Sequence, residues 1–88
     1  MNREGPPLAE LSALLCETLR IVPPNPPLEA DELLFGGRLP LDSVDSLQWA
    51  AAVERRYRIE LSDTEIGDGV LLTLGRVARA VAARVAEV

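Results

Sequence analysis

Apolar positions in the 88-residue chain fall into three stretches of helical period, separated by segments with none. Leu8, Leu11, Leu14, Leu15, Leu19 and Val22 recur at three- and four-residue steps, which predicts a first helix from Pro7 to Arg20, proline being tolerated in a first turn. The period then stops. The run Val22-Pro23-Pro24-Asn25-Pro26-Pro27 contains four prolines, each removing a backbone donor and restricting the residue before it to extended conformations. Leu28, Leu33, Leu34 and Phe35 follow at irregular spacing, then Gly36-Gly37. This pattern predicts a long first loop running to Leu41 and pinned to the core by those apolar side chains. Loops of such length are uncommon in small domains unless they are functional or held down.

Helical spacing resumes with Val44, Leu47, Ala50, Ala51, in part Val53, and Tyr57, which mark the expected buried side of a second helix ending near Arg58. Asp42 stands where an N-cap belongs and Asp45 at the third helical position, close to a capping box. Ile59-Glu60-Leu61 alternates briefly, and Ser62-Asp63-Thr64-Glu65 has the Ser-x-x-Glu form that opens a short turn, ended by Gly67 and Gly69. A last helix, with Thr73 as its cap, carries Leu74, Val77, Ala78, Val81 and Val85 on one face, opposite Arg76, Arg79 and Arg84. The expected fold is all-α: a small up-and-down bundle of four helices, three main and one short, with a long first loop. One domain spans residues 1–88, of which 1–6 are read as a flexible start. No internal repeat is present.

Composition supports helices over sheet. Hydrophobic residues make up 48% of the chain but aromatic residues only 3%, so the core is aliphatic and alanine-rich. The net charge is -5 and all nine basic residues are arginine, which argues against nucleic acid as a partner. The charge is uneven: residues 1–54 hold nine carboxylates against three arginines, and residues 55–88 five against six. No apolar run reaches membrane-spanning length, and residues 1–7 lack the apolar centre of a signal peptide. A soluble cytoplasmic monomer is the expectation.

The absence of histidine narrows the chemistry. A Ser-His-Asp triad, a Cys-His pair and a His-ligated metal site are all excluded within this chain. Cys16 is the only cysteine, so there is no disulfide framework and no thiolate cluster for zinc within the chain, and it is expected to be a half-buried filler. Two Asp-Ser pairs, Asp42-Ser43 and Asp45-Ser46, open the second helix, and each is followed by an aliphatic residue. Either serine could be functional or a plain helix-start residue. A phosphate on one of them would meet free backbone N–H groups and the positive end of the helix dipole. Trp49, the single tryptophan, is expected to pack under the first loop, with a contact to a partner as the alternative. The run Ala50-Ala51-Ala52 leaves an inner face of small volume, one that could open to shelter a chain.

Leu41-Asp42-Ser43-Val44-Asp45, a helix closed by an aromatic residue, Tyr57-Arg58-Ile59-Glu60-Leu61-Ser62-Asp63, and Thr73-Leu74-Gly75 opening the last helix closely resemble the acyl carrier proteins, in order and over almost the whole chain. The resemblance implies a module that catalyses nothing itself. A serine at the start of the second helix receives 4'-phosphopantetheine from coenzyme A, and the thiol of that arm carries acyl groups as thioesters. The family spacing from modified serine to closing aromatic is matched by Ser43 to Tyr57, which points to Ser43 rather than Ser46. Asp42 then supports modification by helping a transferase hold magnesium.

The implied partners are a phosphopantetheinyl transferase, an acyl-loading ligase or acyltransferase, and a ketosynthase or other pathway enzymes. They would meet Asp42, Asp45 and Glu54 with Val44, Leu47 and Gln48, unless these are ordinary solvated helix positions. Gln48, Arg55 and Arg56 occupy places that are often acidic in the family, which implies a dedicated partner set. The reading is a freestanding acyl carrier of a fatty acid, polyketide or related polyene pathway. A peptidyl or aminoacyl carrier is the nearest alternative, although Asp42 replaces the Gly-Gly-x-Ser form frequent there. An unmodified helical interaction adaptor is the alternative of another class.

Overall fold

A computed structural model describes residues 5–86, with side chains described to residue 84. Four helices follow in order, α1 (Leu8–Leu19), α2 (Ser43–Tyr57), α3 (Asp63–Gly67) and α4 (Leu74–Ala86), and no strand occurs among the described residues. α1 packs against both α2 and α4. Val85 of the expected α4 stripe and residues 1–4 of the expected flexible start lie outside the described side chains. Gly5 is pressed against α4: a Cβ there would come within 2.2 Å of the Ala78 carbonyl oxygen.

α1 starts one residue later than expected because Pro7 is its N-cap, and the Pro7 carbonyl accepts from Glu10 N at 3.1 Å and Leu11 N at 3.2 Å. Leu11, Leu15 and Cys16 are buried, while Leu8, Leu14 and Leu19 pack at the margin. Cys16 is therefore more enclosed than expected, and burial pushes its thiol pKa up. Val22 does not continue the stripe. The helix ends at Arg20, in the left-handed region at φ 55, and the turn brings Ile21 onto the core and leaves Val22 84% exposed. α2 ends in the same way on Arg58, also at φ 55. Both positions ask an arginine to adopt a conformation that glycine enters without steric cost.

The first loop is anchored by Leu28, Leu34 and Leu39, all buried, with Phe35 half-buried. Leu33 is 48% exposed and is not one of the pins, whereas Leu39, which no periodic pattern marked, is. Two backbone bonds fasten the loop to the chain around the start of α4: Leu34 N to Leu72 O and Gly75 N to Ala30 O, both 2.8 Å. Gly75 is needed for the second, since a Cβ there would sit 2.9 Å from the Ala30 oxygen. Within the loop Arg38 pairs with Glu32 and donates to the Pro26 carbonyl, which lowers the Glu32 pKa.

The buried side of α2 is rotated from the one that spacing suggested. Trp49, Ala50, Ala52 and Val53 are buried, while Val44, Leu47 and Ala51 face outward, Val44 at 62% and Leu47 at 67% exposure. The indole is the largest apolar side chain available, and turning it inward places Leu47 and Ala51, each about 200° away around the helix, on the outside. Trp49 joins one cluster with Leu11, Leu15, Leu34, Leu39, Val53, Leu61, Leu74, Val77 and Val81. Full burial removes it from any surface contact with a partner. Its Nε1 donor finds no hydrogen-bond partner among the described residues.

At the far end of α2, the Tyr57 hydroxyl donates to Glu10 Oε2 at 2.6 Å, tying α2 to α1. Burial, and then that carboxylate, push the Tyr57 pKa up to about 12. Ser62 and Glu65 form the expected capping box of α3, and Glu65 also pairs with Arg84 of α4. Thr73 Oγ1 accepts from Arg76 N at 3.1 Å, as a cap of α4 should.

Candidate functional site

The long loop delivers the chain to α2 through Leu41 and Asp42. Asp42 is extended, at φ -120 and ψ -175, and its Oδ1 accepts from Val44 N at 3.0 Å and Asp45 N at 3.1 Å. Asp45 reciprocates through Oδ2, which accepts from Asp42 N at 2.9 Å. The shorter aspartate thus closes a full capping box, and both carboxylates lie at the positive end of the helix dipole. Val44 N and Asp45 N, two of the backbone donors that a phosphate at this helix start would meet, are consequently occupied by Asp42. An anion on this turn would keep the dipole but would not gain those two hydrogen bonds, and it would feel the Asp42 charge.

The two serines differ. Ser43, the first helical residue, is exposed. Ser46 is half-buried and its hydroxyl donates to the Ser43 carbonyl at 2.6 Å. Backward bonding to the preceding turn is the usual resting place of a helical serine hydroxyl. One serine is presented to solvent and the other is held against the helix.

A cavity of about 290 Å³ opens beside them, lined by Phe35, Leu41, Ser43, Ser46, Ile66 and Leu71 among others. Its walls come from the end of the first loop, the first turn of α2, and α3 with the segment after it. The volume is at the lower limit of small-molecule pockets, and the wall is apolar apart from the two serines and Asp42. Phe35, Ile66 and Leu71 were not legible as site residues. They lie in segments without period, where spacing cannot say what a side chain faces. Ala50 and Ala52 do leave small volumes on the inner face, but Trp49 occupies the interior beside them.

On the outer face of α2, Val44, Leu47, Gln48, Ala51 and Arg55 are all exposed and follow steps of three and four, so they form one ridge leading away from Ser43. Val44 and Leu47 are two of the four large exposed hydrophobic residues among those described. Glu54 is half-buried instead, and its Oε2 accepts from Leu61 N at 2.8 Å, bracing the chain that leaves the helix. No cluster of three or more His, Cys, Asp or Glu side chains able to hold a metal ion occurs among the described residues, and none of their helices is long and apolar enough to cross a membrane.

An exposed serine at a helix start beside an apolar recess can accept a group whose far end folds back onto the protein. Comparison with known families agrees with that geometry: a model described as the phosphopantetheine attachment site matches residues 9–81. No curated protein and no solved structure matches the chain.

Proposed function

The chain belongs to the phosphopantetheine attachment family, whose members carry a covalently attached 4'-phosphopantetheine group, and from that premise we propose that Ser43 is the attachment residue and that the cargo is an acyl group. The bound arm supplies a terminal thiol on which the cargo rides as a thioester. Carrier domains of this kind are generally not catalytic themselves.

The contrast between the serines carries the reading. Ser43 is exposed, whereas the Ser46 hydroxyl is engaged by the Ser43 carbonyl. The Ser43 hydroxyl would displace adenosine 3',5'-bisphosphate from coenzyme A and lose its proton to a base on the transferase, because this chain has no histidine to take it. Asp42 has two tasks in this account. One carboxylate oxygen caps α2, leaving the other to reach a magnesium ion held by the transferase. The apolar recess beside Ser43 offers a surface on which the arm can lie.

Partner enzymes of a fatty acid, polyketide or related pathway, namely the transferase, a loading ligase or acyltransferase, and a ketosynthase, would cover the ridge of Val44, Leu47 and Gln48, with Asp42 and Asp45 at its head. Glu54 contributes to that face through its bracing of residue 61 rather than as an open charge. An acyl cargo is favoured over an aminoacyl one because Asp42 precedes the serine where peptidyl carriers frequently have glycines.

Intact mass after incubation with coenzyme A, magnesium and a broad-specificity phosphopantetheinyl transferase tests the assignment. Wild type and Ser46→Ala should gain one phosphopantetheine, and Ser43→Ala should gain none. A gain in Ser43→Ala that disappears in Ser46→Ala would transfer the role to Ser46.

A further inference from the structure

The ridge on α2 changes sign along its length. At the head stand Asp42, exposed, and Asp45, half-buried; in the middle Val44, Leu47, Gln48 and Ala51 carry no charge; at the foot Arg55 is exposed on the same line, with Arg58 just beyond it. Arg56 does not join them. It turns toward α1, with Nη2 3.7 Å from Glu10 Oε2 and its guanidinium 5.8 Å from the centre of the Tyr57 ring. Arg55 and Arg58 make no ion pair among the described residues, and the carboxylate next to Arg55 in sequence, Glu54, is committed to Leu61 N. Complementing the negative end of the helix dipole gives Arg55 a local use, but that use does not require it to continue the exposed apolar ridge.

Resting on the carrier reading above, we infer that the partner enzyme fitting this chain presents a docking face of matching polarity: basic residues around its active-site entrance, an apolar shelf, and a carboxylate placed to meet Arg55. Arg55 lies twelve helical steps beyond Ser43, so that carboxylate lies about 18 Å from the entrance. A standard interface of about 800 Å² per partner is roughly 32 Å across if circular, wide enough to span α2. The occupant is a protein surface of mixed sign. An enzyme face that is basic throughout is penalised at its far end, because like charges brought together across an interface slow encounter and select against the wrong partner.

The penalty is measurable with a probe of known sign, a phosphopantetheinyl transferase whose carrier-binding face is basic throughout. At low salt, Arg55→Glu should be modified about threefold or more faster than wild type, Arg55→Gln should fall between, and the differences should close at high salt. Arg79→Glu, an exposed change of the same net charge on α4, should leave the rate unchanged. A transferase variant with a glutamate facing the foot of α2 should reverse the preference and modify wild type faster than Arg55→Glu. Equal rates for wild type and Arg55→Glu, or an equal gain in Arg79→Glu, would overturn the bipolar face while leaving Ser43 as the attachment site. No modification of wild type would remove the carrier reading and this inference with it. Sedimentation of wild type with phosphatidylserine vesicles, lost in Arg55→Glu, would reassign the basic foot to an anionic membrane and overturn the protein partner.

Discussion

Residues 43–48 and residues 49–53 belong to one helix and are held in place by different means. The first group exposes its apolar side chains, Val44 at 62% and Leu47 at 67%, and its backbone is secured by hydrogen bonds among Asp42, Asp45, Ser43 and Ser46. The second group buries Trp49 and Val53 completely and stands on packing. The attachment proposed at Ser43 needs a fixed backbone and an open surface together. Local capping supplies the first without covering the second, and the core a few residues further on supplies the rigid base.

The largest effect should come from the packed half. Trp49→Ala removes the bulkiest core side chain of a helix whose other buried members are Ala50, Ala52 and Val53, and should cost about 3–5 kcal/mol in urea denaturation. For a small domain with a total stability of roughly 5–15 kcal/mol, that is a large part of the whole. Trp49→Phe separates the N–H donor from the bulk of the ring. The indole Nε1 has no partner among the described residues, and an unsatisfied buried donor carries a penalty of about 1–3 kcal/mol, which phenylalanine removes while refilling most of the space. Phenylalanine should therefore recover most of the loss. If Trp49→Phe proves as costly as Trp49→Ala, the N–H is satisfied and the indole makes contacts that a phenyl ring cannot replace.

An intermediate effect should come from the cap. Asp42→Ala leaves Val44 N and Asp45 N without their acceptor and should cost about 1 kcal/mol. Asp42→Ser separates capping from charge, since serine caps as well as aspartate does but brings no carboxylate. Stability should return in Asp42→Ser while the rate of phosphopantetheine transfer stays low. Recovery of both would mean that Asp42 serves the transfer only by holding the helix start.

The same division explains what could be read from the chain. Caps are local and have residue signatures, so Asp42, the Ser62 and Glu65 box and Thr73 could all be placed from sequence, as could the ends of α1 and α2 within a residue or so. The face that α2 buries is a tertiary fact. Val44, Leu47 and Ala51 have the spacing of a core stripe, and the competing stripe through Trp49 and Val53 wins because the indole fills a space that small alanines cannot. The loop was harder still. Leu39 is buried and Leu33 is not, a choice made by contacts with distant residues that no period encodes. The two serines share a local motif, so only the spacing to Tyr57 tells them apart in the sequence, and the Ser46 hydroxyl bonded one turn back is a difference that the motif itself does not carry.

The smallest effect on stability should come from Leu47→Ser. By hydrophobicity and spacing alone Leu47 ranks with core leucines such as Leu11 and Leu15, and losing it should then cost several kcal/mol. At 67% exposure it has little buried surface to lose, and a surface substitution away from caps and charges is worth within about 0.5 kcal/mol either way. Denaturation of Leu47→Ser should match wild type, while transfer of phosphopantetheine onto the chain should slow, because an apolar side chain kept in water at no benefit to the fold is available for a partner to cover. A loss above about 1 kcal/mol would show that the first turns of α2 are packed after all, and the division drawn at Trp49 would have to move toward Ser43.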